Sequence, residues 1–103
     1  MENYKYMKVE QLENKNQFVI YTGDARIFQS YNSVIAIYER EKPLLLGKDW
    51  DYSKTTLKHL YIFLEHYVYC DIWDNRIKYC KNKRKAIQEA INEGLIKYDE
   101  ELI

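Results

Sequence analysis

The sequence has few of the residues that build covalent cross-links, metal sites or phosphate-binding loops. Its 103 residues include two cysteines, three glycines and one proline. No C-x-x-C or H-x-x-x-H spacing occurs, which argues against a zinc site. The scattered glycines also provide no backbone loop for cradling a phosphate or an oxyanion. We therefore expect no metal ion, no cofactor and no enzymatic activity.

Long apolar runs are missing as well. The N-terminal stretch MENYKYMKVEQ lacks the apolar region of a signal peptide, and no segment approaches the length of a membrane span. We expect a protein of a reducing cytoplasm, without a membrane partner, in which Cys70 and Cys80 are free thiols. At this length the chain is expected to form a single domain, 1–103, around one core.

A net charge is also absent, because sixteen basic and sixteen acidic residues cancel. The overall charge therefore predicts neither a polyanion binder nor an acidic mimic of nucleic acid, and any electrostatic function requires local segregation of charge. What the sequence has in abundance is tyrosine. Its eleven tyrosines exceed what a core of this size can hold, so several are expected on a contact surface.

The first half of the chain predicts a four- to five-stranded antiparallel meander. Aromatic and β-branched runs recur about every ten residues, and the intervening turns are too short for a crossover helix. Gly23-Asp24 is expected to form a hairpin turn with glycine at its first central position. The predicted strands are 4–12, 17–22, 25–30, 34–39 and 44–46, the last being an edge strand closed by Gly47.

The segment 50–69 predicts the amphipathic helix that covers this sheet. Ser53 is the expected N-cap, with Thr55 as the alternative one register later. The helix is predicted over about 54–69, which makes the fold class α+β. Its buried seam is expected to comprise Leu57, Leu60, Tyr61, Leu64, Tyr67 and Val68.

The opposite face of this helix carries Ile62 and Tyr69 where polar groups are expected. Two explanations stay open: the C-terminal helix covers these side chains, or they belong to a surface that binds a partner. In the second case the predicted partner-binding residues are Ile62, Tyr69, His59 and His66.

The last third of the chain predicts a loop and one further helix over about 82–93. Asn82 is its expected N-cap and Gly94 its C′ residue, with Leu95 folding back on Ala90. Residues 95–98 are expected to add a short strand. The preceding loop is expected to be tied to the core by Ile72, Trp73, Ile77 and Tyr79.

The most pronounced electrostatic feature is a basic segment of six positive charges in ten residues. Three of them lie in the first turn of the predicted second helix, where the helix dipole favours anions. Trp73 and Tyr79 are close enough in sequence to stack on an unpaired base. The alternative is a solvated turn balanced by nearby acids. The predicted anion or nucleic-acid site comprises Arg76, Lys78, Lys81, Lys83, Arg84 and Lys85.

Other groupings of reactive residues are weaker. His59 and His66 lie two helical turns apart, about 10 Å, which is too far to share a metal ion. His66 and Cys70 have i, i+4 spacing, but a thiol enzyme also needs an oxyanion hole and a third orienting group. Asp49 and Asp51 fit capping and turn roles better than a cation site.

Three pieces of the sequence resemble a small uncharacterised domain family that recurs in bacteriophages and mobile elements. They are FQSYNSVIA (28–36), GKDWDYSKTTLKHLYIFL (47–64) and KAIQEAINEGLIKYDEEL (85–102), and the combination SYNSxIA followed by WDYSxTTxKH is the most specific part. The resemblance implies a compact α+β domain of phage or mobile-element origin, located in the cytoplasm of a bacterial host. It implies no activity and transfers no functional residue.

These observations together predict a non-enzymatic accessory protein that binds a host protein. Inhibition of a host defence system, such as a CRISPR effector, is the expected role by analogy with other small phage proteins. The alternative is a weak nucleic-acid-binding domain that uses the basic segment, and the third candidate is a Cys–His enzyme.

Overall fold

The computed structural model describes residues 7–13 and 15–102 and shows an α+β fold. Five strands come first in the chain, followed by three α-helices and a last short strand. The strands are β1 (Lys8–Gln11), β2 (Gln17–Thr22), β3 (Ala25–Ser30), β4 (Ser33–Glu39), β5 (Leu45–Gly47) and β6 (Lys97–Asp99). The helices are α1 (Lys54–His66), α2 (Asp71–Asn75) and α3 (Lys83–Asn92), with a 3₁₀ turn at Ile77–Tyr79 between the last two.

The sheet has the strand order β1-β2-β3-β4-β5-β6. Strands β1 to β5 pair antiparallel with their neighbours, which confirms the predicted meander. The prediction that 44–46 is an edge strand was wrong, because β6 pairs with β5 in parallel. A parallel neighbour requires a long crossover, and the three helices between the two strands provide it. Of the predicted first strand 4–12, residues 4–6 lie outside the described residues.

Helix α1 packs on the sheet through an aromatic contact at the centre of the core. The rings of Phe28 and Phe63 stack with their centroids 5.8 Å apart, and both side chains are fully buried. The predicted seam was only partly right. Leu60, Leu64 and Val68 are buried, whereas the other three predicted residues are half-buried and pack around the edge of the core. The buried side chains of α1 are Thr56, His59, Leu60, Phe63 and Leu64.

Both ends of α1 have an identifiable physical cause. The side chain of Ser53 accepts a hydrogen bond from the amide of Thr56 at 3.1 Å, which confirms the predicted N-cap. The helix ends at His66 and not at residue 69. Aromatic and β-branched residues at 67–69 have low helix propensity, and the chain leaves the helix in a turn at Tyr67 and is extended at Cys70 before α2 begins.

The segment after α1 is more regular than predicted, because it contains α2 and the 3₁₀ turn. Trp73 and Ile77 are buried and tie it to the core as expected, but Tyr79 is 76% exposed. The indole of Trp73 donates to Glu65 Oε1 at 2.8 Å, which lowers the pKa of that carboxyl, and its ring stacks on Tyr61 at 5.7 Å. These contacts join the second layer of helices to α1.

Helix α3 begins and ends as its sequence predicts. Asn82 accepts a hydrogen bond from the amide of Lys85 at 3.0 Å. At the other end Gly94 has φ +80°, and the amide of Leu95 donates to the carbonyl of Ala90 at 3.0 Å. This hydrogen bond is the fold-back that a C′ glycine permits, and it turns the chain toward β6.

Candidate binding sites

The predicted partner-binding residues do not form one exposed face. His59 is 2% exposed, so its placement on the solvent face of α1 was wrong. Its Nδ1 lies 2.8 Å from the carbonyl oxygen of Thr55, while Nε2 is sealed without a hydrogen-bond partner in the described structure. Ile62 is partly buried and packs against the core, whereas His66 is exposed. The helix is rotated relative to the predicted seam, which turns His59 inward.

Tyr69 is 88% exposed, so the C-terminal helix does not cover it. Its backbone carbonyl accepts a hydrogen bond from the hydroxyl of Tyr38 at 2.5 Å. Tyr69 lines a hollow of about 490 Å³ that also includes Pro43, Ile72 and Leu95. It also lines a second hollow of about 430 Å³, which includes Arg26 and Arg40. We call Tyr69 with these two hollows the Tyr69 ridge.

Half of the six positive charges of the basic segment 76–85 form ion pairs with acids elsewhere in the chain. Three of its cations contact acids, and Lys83 Nζ donates to the carbonyl of Cys80 at 3.1 Å. The pairing of Arg76 with Glu93 is bidentate, and it raises the pKa of the guanidinium and lowers that of the carboxyl. The pairs are Arg76–Glu93 at 2.6 and 2.9 Å, Arg84–Asp51 at 2.7 Å, and Lys78 with Glu65 and Asp74, both at 3.9 Å.

The remaining parts of a nucleic-acid site are not assembled around this segment. Lys81 and Lys85 are exposed and make no ion pair within the described residues. Of the two predicted stacking rings, Trp73 is buried, and only Tyr79 is available to a ligand. In the described part of the chain, three lysines without an ion pair, one of which donates to a carbonyl, and one exposed ring are a smaller electrostatic footprint than six free cations.

The Cys70–His66 pair loses its geometric basis because α1 ends at His66. Residues four apart share a face only within a helix, and Cys70 lies beyond the helix end. Burial raises the pKa of the Cys70 thiol, which lowers its thiolate fraction at neutral pH. Both cysteines are free in the structure. In residues 7–13 and 15–102, no three or more His, Cys, Asp or Glu side chains come together as a metal site.

We expect the two thiols to differ in reactivity toward Ellman's reagent by roughly tenfold or more. Cys80 is half-exposed, with Sγ 3.4 Å from the carbonyl of Arg76, whereas Cys70 is buried. One thiol per native molecule should react quickly, and Cys80→Ser should abolish this fast phase. In guanidinium chloride both thiols should react at similar rates. A native Cys70 that reacts as fast as Cys80 would contradict the burial described here.

A pocket lined by several hydroxyl-bearing side chains was not predicted from the sequence. It has a volume of about 520 Å³ and lies between the β3–β4 hairpin, the loop 48–53 and the first turn of α1. All ten residues that line it belong to the pieces 28–36 and 47–64. A hydrogen bond of 3.0 Å from Ser33 Oγ to Asp49 Oδ2 joins the two pieces. We call this cavity the hairpin–helix pocket.

The tip of this hairpin has an unusual backbone. Ser30 pairs with Ser33, so the loop consists of Tyr31 and Asn32, and Tyr31 has φ +54°. Left-handed backbone is uncommon for a bulky residue and is concentrated at functional sites. Two hydrogen bonds hold it: the amide of Tyr31 donates to Asn16 at 2.7 Å, and Gln29 Nε2 donates to the Tyr31 carbonyl at 2.8 Å. Tyr31 is therefore fixed at the rim of the pocket.

Fold and pocket together define a small α+β domain with a cavity between the start of its central helix and a hairpin that has left-handed backbone at its tip. The chain matches a family of unknown function, DUF8033, over residues 2–87, and it belongs to this family. The matched range contains both pieces that line the hairpin–helix pocket and ends within α3. No curated protein and no solved structure shows significant similarity to the chain. No helix among the described residues has both the length and the apolar character needed to cross a membrane.

Proposed function

We propose that this domain is a non-enzymatic accessory protein that binds a host protein through the Tyr69 ridge. The observation that carries the proposal is the exposure of Tyr69, which is 88% exposed and lines two hollows. A solvent-exposed tyrosine of this kind has a large contact area and only two side-chain torsions to order on binding. Tyrosine is enriched among the residues that dominate binding energy in protein interfaces.

The surroundings of Tyr69 favour a protein partner over a small ligand. The residue follows α1 directly, and the hydrogen bond from Tyr38 holds its backbone in place before binding. One hollow beside it combines apolar side chains with the charged groups of Glu41, Lys42 and Asp71, and the other hollow includes two arginines. Arg40 makes no ion pair with any described residue. The Tyr69 ridge therefore combines an exposed aromatic ring with apolar and arginine side chains, and aromatic and arginine residues are enriched in protein interfaces.

The wider biological role that we propose rests on the resemblance and on analogy. The resemblance to domains of bacteriophages and mobile elements supports a phage or mobile-element origin, and the partner is then a protein of the bacterial host. Inhibition of a host defence system, such as a CRISPR effector, is the role that small phage proteins of this kind suggest.

We expect Tyr69→Asp to reduce capture of the host partner by at least about tenfold, because a charge would be placed at a hot spot of the interface. The measurement is affinity capture from nuclease-treated lysate of a bacterial host, followed by quantitative mass spectrometry. Tyr79→Asp is the matched control, because Tyr79 is 76% exposed and lies in the 3₁₀ turn outside the ridge.

The outcome that contradicts the proposal is capture of no protein by the wild type, or equal capture by Tyr69→Asp. Both variants should unfold at the same denaturant concentration as the wild type, since neither ring is buried. Ile62→Asp is unsuitable for this test, because Ile62 packs against the core and a carboxylate there destabilises the domain.

Nucleic-acid binding through the basic segment stays a prediction that the structure favours less. Glu93, Asp51, Glu65 and Asp74 take up three of its six charges. Treating the lysate with nuclease separates this alternative from protein binding in the same experiment, because a bridging nucleic acid is removed.

A further inference from the structure

We propose that the hairpin–helix pocket binds a neutral polyhydroxyl ligand, that is, a sugar ring. This site shares no lining residue with the Tyr69 ridge and is independent of the function proposed above. Its volume of about 520 Å³ lies within the range of roughly 300–1,000 Å³ that is common for small-molecule sites.

An unpartnered buried hydroxyl lines the pocket. Ser30 is 4% exposed, and its Oγ makes no hydrogen bond within the described residues. Among the described residues, the unpartnered side-chain atoms without solvent-accessible surface belong to Gln17 and His59. Ser30 Oγ is not one of them, and Ser30 lines the pocket, so a ligand in the pocket can contact this hydroxyl. A buried hydroxyl without a partner costs free energy, and a ligand or water in the pocket offsets that cost.

The start of α1 contributes hydrogen-bond donors to the same pocket. Ser53 satisfies the amide of Thr56 with its side chain and the amide of Leu57 with its carbonyl. Thr55 lines the pocket, and its amide has no hydrogen-bond acceptor within the described chain, as is usual for the first residues of a helix. No acidic residue occupies the first turn, so this wall presents donors and the positive end of the helix dipole.

An acceptor with full negative charge also lines the pocket. Asp49 receives the hydroxyl of Ser33 on Oδ2, and its other oxygen has no hydrogen-bond or ion-pair partner among the described residues. The N-terminus of α1 would attract a phosphate, but the Asp49 carboxylate repels it. The carboxylate would attract a cation, but the N-terminus of α1 repels it. The two effects oppose each other, and the ligand that satisfies both is neutral and has donors as well as acceptors.

Tyrosine rings at the rim distinguish a sugar from a peptide. Tyr31 is 58% and Tyr52 is 79% exposed, and both line the pocket. A sugar ring has an apolar C–H face that packs on an aromatic ring, and its hydroxyls radiate as donors and acceptors toward several walls at once. A peptide presents its hydrogen-bonding groups along a narrow edge, whereas Ser30, Asp49 and the start of α1 converge on the pocket from three elements of the fold.

The test is a ¹⁵N-HSQC titration of the full chain with D-glucose, D-galactose, D-mannose and D-ribose. At least one sugar should shift the amide resonances of Lys54, Thr55 and Asn32 and saturate with millimolar affinity. Asp49→Asn and Ser30→Ala should each weaken that affinity, Asp49→Asn by about tenfold or more, since hydrogen bonds to charged groups are the stronger ones. Tyr52→Ala should weaken it, while Tyr79→Ala and Tyr69→Asp should leave it unchanged.

Parallel titrations use sodium phosphate, N-acetyl-arginine amide and N-acetyl-glutamine amide as anionic, cationic and peptide-like probes. Tighter binding of any of these three than of the best sugar overturns the proposal, and so does a flat response to all four sugars. Sugar binding that survives both Asp49→Asn and Ser30→Ala also overturns it, because the site then lies elsewhere. Loss of sugar binding in Tyr69→Asp would place it at the Tyr69 ridge, so the two proposals fail separately.

Discussion

Phe63→Ala is expected to lower the free energy of unfolding by about 3–5 kcal/mol, the usual cost of removing a buried aromatic side chain. Phe63 is fully buried and stacks on Phe28 at 5.8 Å, where α1 meets the sheet. The cavity would open at the contact between the two layers, which cannot collapse without moving the helix. Because domains of this size are stable by about 5–15 kcal/mol, the loss is a large part of the total.

Leu57→Ala is the matched comparison, because the sequence pattern placed Leu57 in the buried seam and the structure leaves it half-buried. We expect it to cost about 1–2 kcal/mol, in proportion to the smaller apolar area that it buries. Equilibrium unfolding in guanidinium chloride, with the slope checked for each variant, measures both. A Leu57→Ala loss as large as that of Phe63→Ala would restore the predicted helix face and contradict the rotation described here.

The helix ends and the hairpin turn were predicted correctly from the sequence, because each depends on residues that are close together in the chain. Ser53 and Asn82 are N-caps, Gly94 ends α3, and Thr22–Ala25 close on a Gly-Asp turn, and in each case the signal lies within four residues. The face of α1 was harder, because apolar residues occur on several sides of it. One side faces the sheet and another faces Trp73, so periodicity alone could not rank Leu57 against Phe63.

Elements that depend on distant partners were not predictable in the same way. A short strand was predicted at 95–98, and β6 lies at Lys97–Asp99, but its parallel pairing with β5 was not predicted. All three of its residues are exposed, so no apolar alternation indicates a neighbour, and the path of the helices decides the pairing. The neutralisation of the basic segment is equally non-local, since Arg84 pairs with Asp51 and Lys78 with Glu65. Charge counted along the sequence therefore overstated the charge available on the surface.

The hairpin–helix pocket was missed because each of its residues has an ordinary local explanation. Serines and threonines before a helix indicate a cap, and Asn32 in a short interruption indicates a turn. The left-handed backbone of Tyr31 has no signature in the sequence, since asparagine next to it is the residue that favours this conformation. The available signal was that both pieces carrying the family resemblance, 28–36 and 47–64, are rich in hydroxyl groups. Their proximity appears only in three dimensions.

Gly47→Ala is expected to destabilise the domain by about 1–3 kcal/mol, the range for overpacking a well-packed site. A Cβ at Gly47 would lie 2.6 Å from the carbonyl oxygen of Val34, and a backbone atom in β4 cannot move aside as a flexible side chain does. Gly47 is buried in β5 between β4 and β6, so the sheet itself must open. The loop that places Asp49 in the hairpin–helix pocket follows immediately, and its position should shift.

Whether Gly47→Ala destabilises or stabilises the domain shows which constraint acts at this position. Gly47 does not have positive φ, and at such a position alanine ordinarily stabilises a protein by about 0.4–1 kcal/mol through the unfolded chain. Guanidinium chloride unfolding of Gly47→Ala therefore distinguishes a close backbone approach from an ordinary strand glycine. Leu102 also borders the site, with Cδ2 at 3.4 Å from the added Cβ. Because the close contact is with Val34, adding Leu102→Ala should not restore the stability lost in Gly47→Ala. Restored stability in the double variant would show that the spacing between β4 and β5 is not the constraint. An unchanged stability of Gly47→Ala alone would show the same.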